Sequence, residues 1–167
     1  FMYRTNVDAA YRKTKVQQAE SLKDFVDILS KLPLEFSPGD KWNYSVSTDV
    51  LGYLVEVLSG MELEDYFKKY IFTPLEMNDT SFSCPKNKLD RLCSLYEHDP
   101  VGIPKLLEIP FLNTRMASGG GGLFSTMHDY HNFCHMLLHD GEFEGKRIIG
   151  RKTCLLYTSP SPRDQVV

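Results

Sequence analysis

Helical apolar stripes alternate with turn-rich connectors along the chain. Over residues 21–32, "SLKDFVDILSKL", Leu22, Phe25, Ile28, Leu29 and Leu32 recur at spacings of three and four, which puts them on one helical face. Ser21 offers an N-cap oxygen and Pro33 stops the helix. "SPGD", 37–40, has Pro then Gly at the central positions of a type II turn. A short extended piece through Trp42 and Tyr44 follows. The next helix starts near Ser47 or Thr48, either of which can cap it. Its expected core stripe is Val50, Leu51, Leu54, Val55 and Leu58, and Gly60 ends it. "LEDYFKKYI" then aligns Leu63, Tyr66, Phe67, Tyr70 and Ile71. Residues 84–114, with Pro85, Pro100, Pro104 and Pro110, read as irregular. The "SGGGG" loop, 118–122, feeds a helix from about Ser125 to Leu138. Met127, Tyr130, Phe133, Cys134, Leu137 and Leu138 form its expected apolar side. "HDGEFEGKRII", 139–149, reads as a hairpin-type connection into a short strand. The sequence carries no internal repeat, and the reading is mostly helical with few strands.

Composition changes this picture only at the ends. The chain has 167 residues, 42% hydrophobic and 25% charged, which is ordinary for a globular domain. Its net charge of −3 argues against nucleic acid or an anionic membrane as the main partner, and no apolar run is long enough for a membrane span. Cys84, Cys93, Cys134 and Cys154 show no zinc-type or C-x-x-C spacing and read as unlinked thiols. The first residues, "FMYRTNVDAAYRKTKVQQ", lack a leader pattern and suggest a start inside a longer protein. Residues 154–164, "CLLYTSPSPRD", match the translation of a transposase-based sequencing-library adapter residue for residue. The expectation is a partial domain over 1–153, truncated at both ends, and an adapter-derived, disordered tail over 154–167 that packs on nothing.

Several residue patterns invite chemistry and fail on spacing. The four-glycine run lacks both the dinucleotide G-x-G-x-x-G spacing and a P-loop lysine, so it reads as a loop that lets backbone approach closely. His128, His131, His135 and His139 fall within one helical arc of roughly 80°. Opposite an apolar side, they read as the solvated face of the helix, with no metal site. No Gly-x-Ser-x-Gly elbow is present. Ser83 and Lys86 form a Ser-x-x-Lys, the nucleophile-plus-lysine pairing of penicillin-recognising serine enzymes, but that pairing needs the serine to open a helix. Pro85 and the irregular context deny it this geometry.

Four segments in this order carry a family resemblance: "LPLEFSPGDKWNYSVSTDVLGYLVEVLSG", "YIFTPLEMNDTSF", "RLCSLY" and "SGGGGLFSTMHDYHNFCHMLLHDGEFEGKRIIGRKT". Together they resemble the β-lactamase-related serine hydrolases, a family of class C β-lactamases, penicillin-binding proteins and family VIII carboxylesterases. The esterase branch is the nearest likeness. The resemblance covers essentially Phe1 to Thr153 and implies an α/β, β-lactamase/transpeptidase-like fold. It implies an acyl-enzyme mechanism on small ester or amide substrates, with no metal or organic cofactor.

The family's second motif, Tyr-x-Asn or Tyr-Ser-x, falls on Tyr44, Ser45 and Val46. The resemblance assigns Tyr44 the general-base role, with Ser45 and Val46 beside the substrate and Gly119, Gly120, Gly121 and Gly122 bordering the cleft. Val46 stands where the β-lactamases carry asparagine, which favours esters over β-lactams. Glu76 stands where the family usually has glycine. An ordinary phenol titrates near pH 10, so its use as a base near neutrality takes about 4 kcal/mol of differential stabilisation. The family draws this largely from the lysine of its first motif, which lies farther upstream than the residues preceding Tyr44 allow. Its third motif would follow residue 153. The sequence therefore predicts an inactive piece of an active ester hydrolase. The rival reading is a non-catalytic binding or regulatory member of the same fold, and the alternative for Tyr44 itself is a buried aromatic at a helix mouth.

Overall fold

A computed structural model describes residues 6–97, 102–109, 112 and 116–158. They fall into two compact units. The first draws on Phe1–Leu63 and Phe82–Gly122, the second on Glu64–Ser81 and Leu123–Val167. Among the described residues no helix is long and apolar enough to cross a membrane.

The first unit holds α1 (Asn6–Thr14), a 3-10 turn at Val16–Gln18, α2 (Leu22–Leu29) and α3 (Ser47–Ser59). α2 begins as its sequence dictates. The Ser21 hydroxyl accepts from the Asp24 amide at 3.1 Å, and Leu22 and Phe25 are buried. It ends at Leu29, and the i→i−3 bonds of Lys31 and Leu32 tighten the chain before Pro33. The "SPGD" turn closes with the Asp40 amide on the Ser37 carbonyl at 3.2 Å, and Gly39 has φ +93°, as a type II turn requires. A 3-10 helix at Lys86–Arg91 precedes a small antiparallel ribbon. In it β1 (Leu95–Glu97) pairs with β2 (Lys105–Leu107), Leu95 opposite Leu107.

α2 packs on α3, but α3 does not bury the stripe expected of it. Val50, Leu51, Leu54 and Leu58 are exposed, Val55 is half-buried, and Asp49 and Gly52 are buried instead. The reason is a polar contact. The loop at Ser118–Gly120 lies against Asp49 and Gly52, and that face, rather than the apolar one, turns inward. The expected cap is also corrected. Val46 is the N-cap and supplies no side-chain bond, and Gly60, with φ +68°, closes the helix as expected.

In the second unit α4 (Leu63–Phe67, entering from the first) winds into a π-helical turn at Lys68–Phe72, where the Thr73 amide reaches the Lys68 carbonyl at 2.9 Å. Phe72, Leu75 and Met77 then meet Met136 of α5 (Met127–Leu138) and Phe143, with Phe67, Ile71, Phe133 and Leu137 packed around them. α5 is capped by Thr126, whose hydroxyl accepts from the Asp129 amide at 3.2 Å. Its expected apolar side is corrected as well: Met127, Tyr130 and Leu138 are exposed, while Asp129 and Asn132 are buried beside Met136. The Asp129 carboxylate accepts from the Asp79 amide at 2.7 Å and the Thr80 hydroxyl at 2.8 Å, and the Asn132 amide donates to the Leu75 carbonyl at 3.0 Å. These bonds fix which face of α5 turns inward.

The hairpin forms as expected. β3 (Glu142–Phe143) pairs with β4 (Lys146–Arg147), and Glu144 and Gly145 both take positive φ, the type I′ arrangement. Helix α6 (Arg151–Thr158) then runs straight through the expected boundary at Thr153. The expectation of a tail that packs on nothing is corrected at its first residue, since Cys154 is only 1% exposed. The Gly150 carbonyl accepts from the Thr153 and Cys154 amides and starts the helix, and the leucines that follow are good helix formers. Leu155 and Leu156 are exposed. Residues 159–167 lie outside the described residues.

Candidate active site

The segment before α3 sets out the polar groups of the site. Lys41–Ser45 has no regular structure, and Tyr44 is 74% exposed in this chain. The Ser45 hydroxyl lies 2.5 Å from that of Ser47 and accepts from the Ser47 amide at 3.3 Å. Ser45 thus takes over part of the capping that the sequence assigned to Ser47. The Val46 carbonyl accepts from the Asp49 and Val50 amides, and its side chain is half-buried.

Tyr44, Ser45, Val46, Ser47 and Val50 form one wall of a cavity of about 610 Å³. The other walls are largely apolar, with Tyr11, Val26, Leu29, Leu32, Leu34 and Phe36. The arrangement places a solvent-reachable phenol at the rim of a pocket able to take an apolar group.

The glycine block reaches the same helix end by another route. The Ser118 hydroxyl donates to the Asp49 carboxylate at 2.5 Å, and the Gly120 amide donates to the same oxygen at 3.3 Å. A side chain on Gly119 would collide with the Thr48 carbonyl, and one on Gly120 would stand 2.9 Å from the Thr48 hydroxyl. These two glycines are needed for close approach. Gly121 and Gly122 face open space, and none of the four glycines lines the cavity. The structure thus brings the tyrosine motif and the glycine block onto the two ends of one helical turn. It brings none of the four expected cleft glycines to that cavity.

Asp49 is the residue the sequence reading missed. Its one signal is a carboxylate three residues before Gly52 inside an apolar helix. Glu56, farther along α3, accepts the Leu63 amide at 2.9 Å. Partial burial raises its carboxyl above the usual value of 4.5, with the Leu63 hydrogen bond acting in the opposite direction.

The other candidates separate. Ser83 is exposed and lies before the 3-10 helix that Lys86 opens, so the pair does not share a helical turn. His128, His131 and His139 are exposed. His135 departs from the expected solvated face, because it is half-buried with its ring edge-on to Phe143 and its centroid 4.1 Å from that of the His139 ring, tilted by 33°. Among the described residues no three metal-binding side chains converge.

A family model described as beta-lactamase matches residues 3–163. The chain belongs to the beta-lactamase family. An uncharacterized protein of Mycobacterium tuberculosis is 29% identical over 167 residues, covering 95% of this chain and 40% of that protein. The chain thus spans about 40% of the length of such curated relatives. Simvastatin synthase from Aspergillus terreus superposes with a TM-score of 0.73 at 23% identity, over 98% of this chain and 41% of that one. EstCE1, a hydrolase with promiscuous acyltransferase activity, superposes with a TM-score of 0.71 at 22% identity, over 88% of this chain and 43% of that one. The fold is the β-lactamase/transpeptidase-like fold expected from the sequence, and the part seen here is mainly helical.

Proposed function

We propose that the full-length beta-lactamase-family protein is a serine hydrolase of esters in which Tyr44 is the general base. The observation that carries this reading is the exposed phenol at the rim of a largely apolar cavity, directly before α3. A serine from outside this segment attacks the ester carbonyl as Tyr44 takes its proton. Collapse of the tetrahedral intermediate expels the alcohol, which leaves with the proton from Tyr44, and water then releases the acid from the acyl-enzyme. The aliphatic Val46 offers no amide to grip a β-lactam side chain, which supports esters. EstCE1 shares the fold, and the hydrolase and acyltransferase activities in its name fit the same reading.

The test is Tyr44→Phe in the full-length protein, which keeps the ring and removes one oxygen. The rate of nitrophenyl-ester hydrolysis falls by about a hundredfold, the usual scale for losing a general base. Ser83→Ala leaves the rate unchanged. An intact rate in Tyr44→Phe together with loss in Ser83→Ala overturns the assignment. The present chain alone hydrolyses neither nitrophenyl esters nor nitrocefin above background, because Ser83 and Lys86 do not share a helical turn.

A further inference from the structure

Asp49 has no part in the chemistry proposed above, yet it is a carboxylate only 8% exposed in the first turn of the helix that follows Tyr44. A carboxylate withdrawn from water is costly unless hydrogen bonds replace its hydration. Here the replacements come from the glycine strap, 69 and 71 residues away along the chain: the Ser118 hydroxyl and the Gly120 amide. The Ser118 oxygen also accepts from the Gly120 amide at 3.1 Å, which closes a small ring of three groups. The packing is built for this contact. A side chain on Gly52 would stand 3.3 Å from the Gly119 Cα and 3.0 Å from Leu63, so the helix gives up a side chain where the strap crosses. The strap has two halves. Ser118–Gly120 is fastened, whereas Gly121 and Gly122 have open space around them, and Gly122 sits at φ +87°.

We propose that Asp49 is a positioning residue that fastens the Ser118–Gly122 strap to the first turn of α3, and so holds the strap's free half in register with the Tyr44–Ser45 segment. The fastening stands on geometry. Its consequence for catalysis rests on the ester-hydrolase reading. Asp49 touches no substrate in this scheme and acts through the backbone it holds. A carboxylate suits the task because it accepts two donors at once and sits favourably among the free amides of a helix N-terminus.

Two measurements test this and fail independently. The first uses amide hydrogen exchange on the present chain. Asp49→Ala raises exchange at Gly119–Gly122 by about tenfold or more while α2 amides keep their protection. Asp49→Asn, which keeps an acceptor oxygen, recovers most of the strap's protection. An equal rise in α2 marks Asp49 as a general stability residue and overturns the proposal, as does an unchanged strap. The second uses the full-length protein. Asp49→Ala lowers kcat for ester hydrolysis by about tenfold with KM nearly unchanged, and Asp49→Asn restores part of it. A strap that loosens while kcat stays intact overturns the positioning role. A wild-type full-length protein without ester turnover sinks the ester-hydrolase reading, while the exchange result still decides the fastening.

Discussion

Both units bury apolar side chains, Leu22, Phe25 and Leu63 in the first and Leu75 and Met136 in the second, but their longest helices turn different residues inward. The second closes on an apolar core, with Leu75 fully buried and Met136 1% exposed, and uses Asp129 and Asn132 to fasten α5 over it. The first turns a carboxylate and a glycine of α3 inward and leaves Leu58 77% exposed and Trp42 84% exposed. In the second unit polar bonds from Asp129 and Asn132 choose the inward face of α5, and a closed apolar core packs beside them. Around the candidate site, close backbone approach and a buried polar clamp select the packing, and apolar side chains take what remains. That division is expected where a fold must hold a precise backbone geometry for chemistry.

The sharpest way to break the comparison is to delete apolar bulk from each side. Met136→Ala costs about 3 kcal/mol in urea unfolding, because it opens a cavity in a closed core. Leu58→Ala, on an exposed face of α3, changes stability by no more than about 0.5 kcal/mol. Equal costs would erase the distinction. Next in size is Asp129→Ala, which removes the acceptor of the Asp79 amide and one of the two hydroxyl partners of Thr80, the other being Ser125, and costs about 2 kcal/mol. A neutral result would show that α5 is held by its apolar contacts alone. Smaller again is Glu76→Gly. Glu76 sits at φ +57° in the left-handed region, where glycine meets no Cβ penalty. The change raises stability by about 0.5 to 1 kcal/mol, and a loss instead would mean the Glu76 side chain outweighs its backbone strain.

Much of the fold was legible because its signals are local. The Ser21 cap, the "SPGD" turn, the Glu144–Gly145 hairpin and the end of α3 at Gly60 are each decided within a few residues. The family resemblance located Tyr44 and Ser45, and the structure places both at a cavity wall. The buried faces of α3 and α5 were not legible, because distant partners choose them. Asp49 answers to Ser118, and Asp129 and Asn132 answer to the segment from Leu75 to Thr80. An apolar stripe states what a helix could bury, and a carboxylate within it warns that something else decides. Asp49 with Gly52, and Asp129 with Asn132, both show that warning at a spacing of three. The helix through Cys154 has a different cause: Leu155 and Leu156 are good helix formers whatever the origin of the segment, and they extend the helix that opens at Arg151.

The smallest expected effect concerns Glu56, which tests whether the polar choices of α3 carry a cost. Partial burial raises its carboxyl above 4.5, the Leu63 amide at 2.9 Å opposes that shift, and the neighbouring Glu62 adds to it. A raised value in the folded state means that the folded chain holds this proton more tightly than the unfolded chain. By linkage, the resulting contribution is fully present below about 4.5 and is lost as pH rises through the raised value. Glu56→Gln keeps an oxygen for the Leu63 amide but carries no charge to bury. The variant should therefore gain on the wild type as pH rises from about 4 to about 7, seen as a growing difference between urea midpoints. The gain should be small, because Glu56 is only partly withdrawn from water. If the wild type instead gains on the variant over that range, the hydrogen bond to the Leu63 amide outweighs burial, and the charged form of Glu56 belongs among the groups that stabilise the first unit.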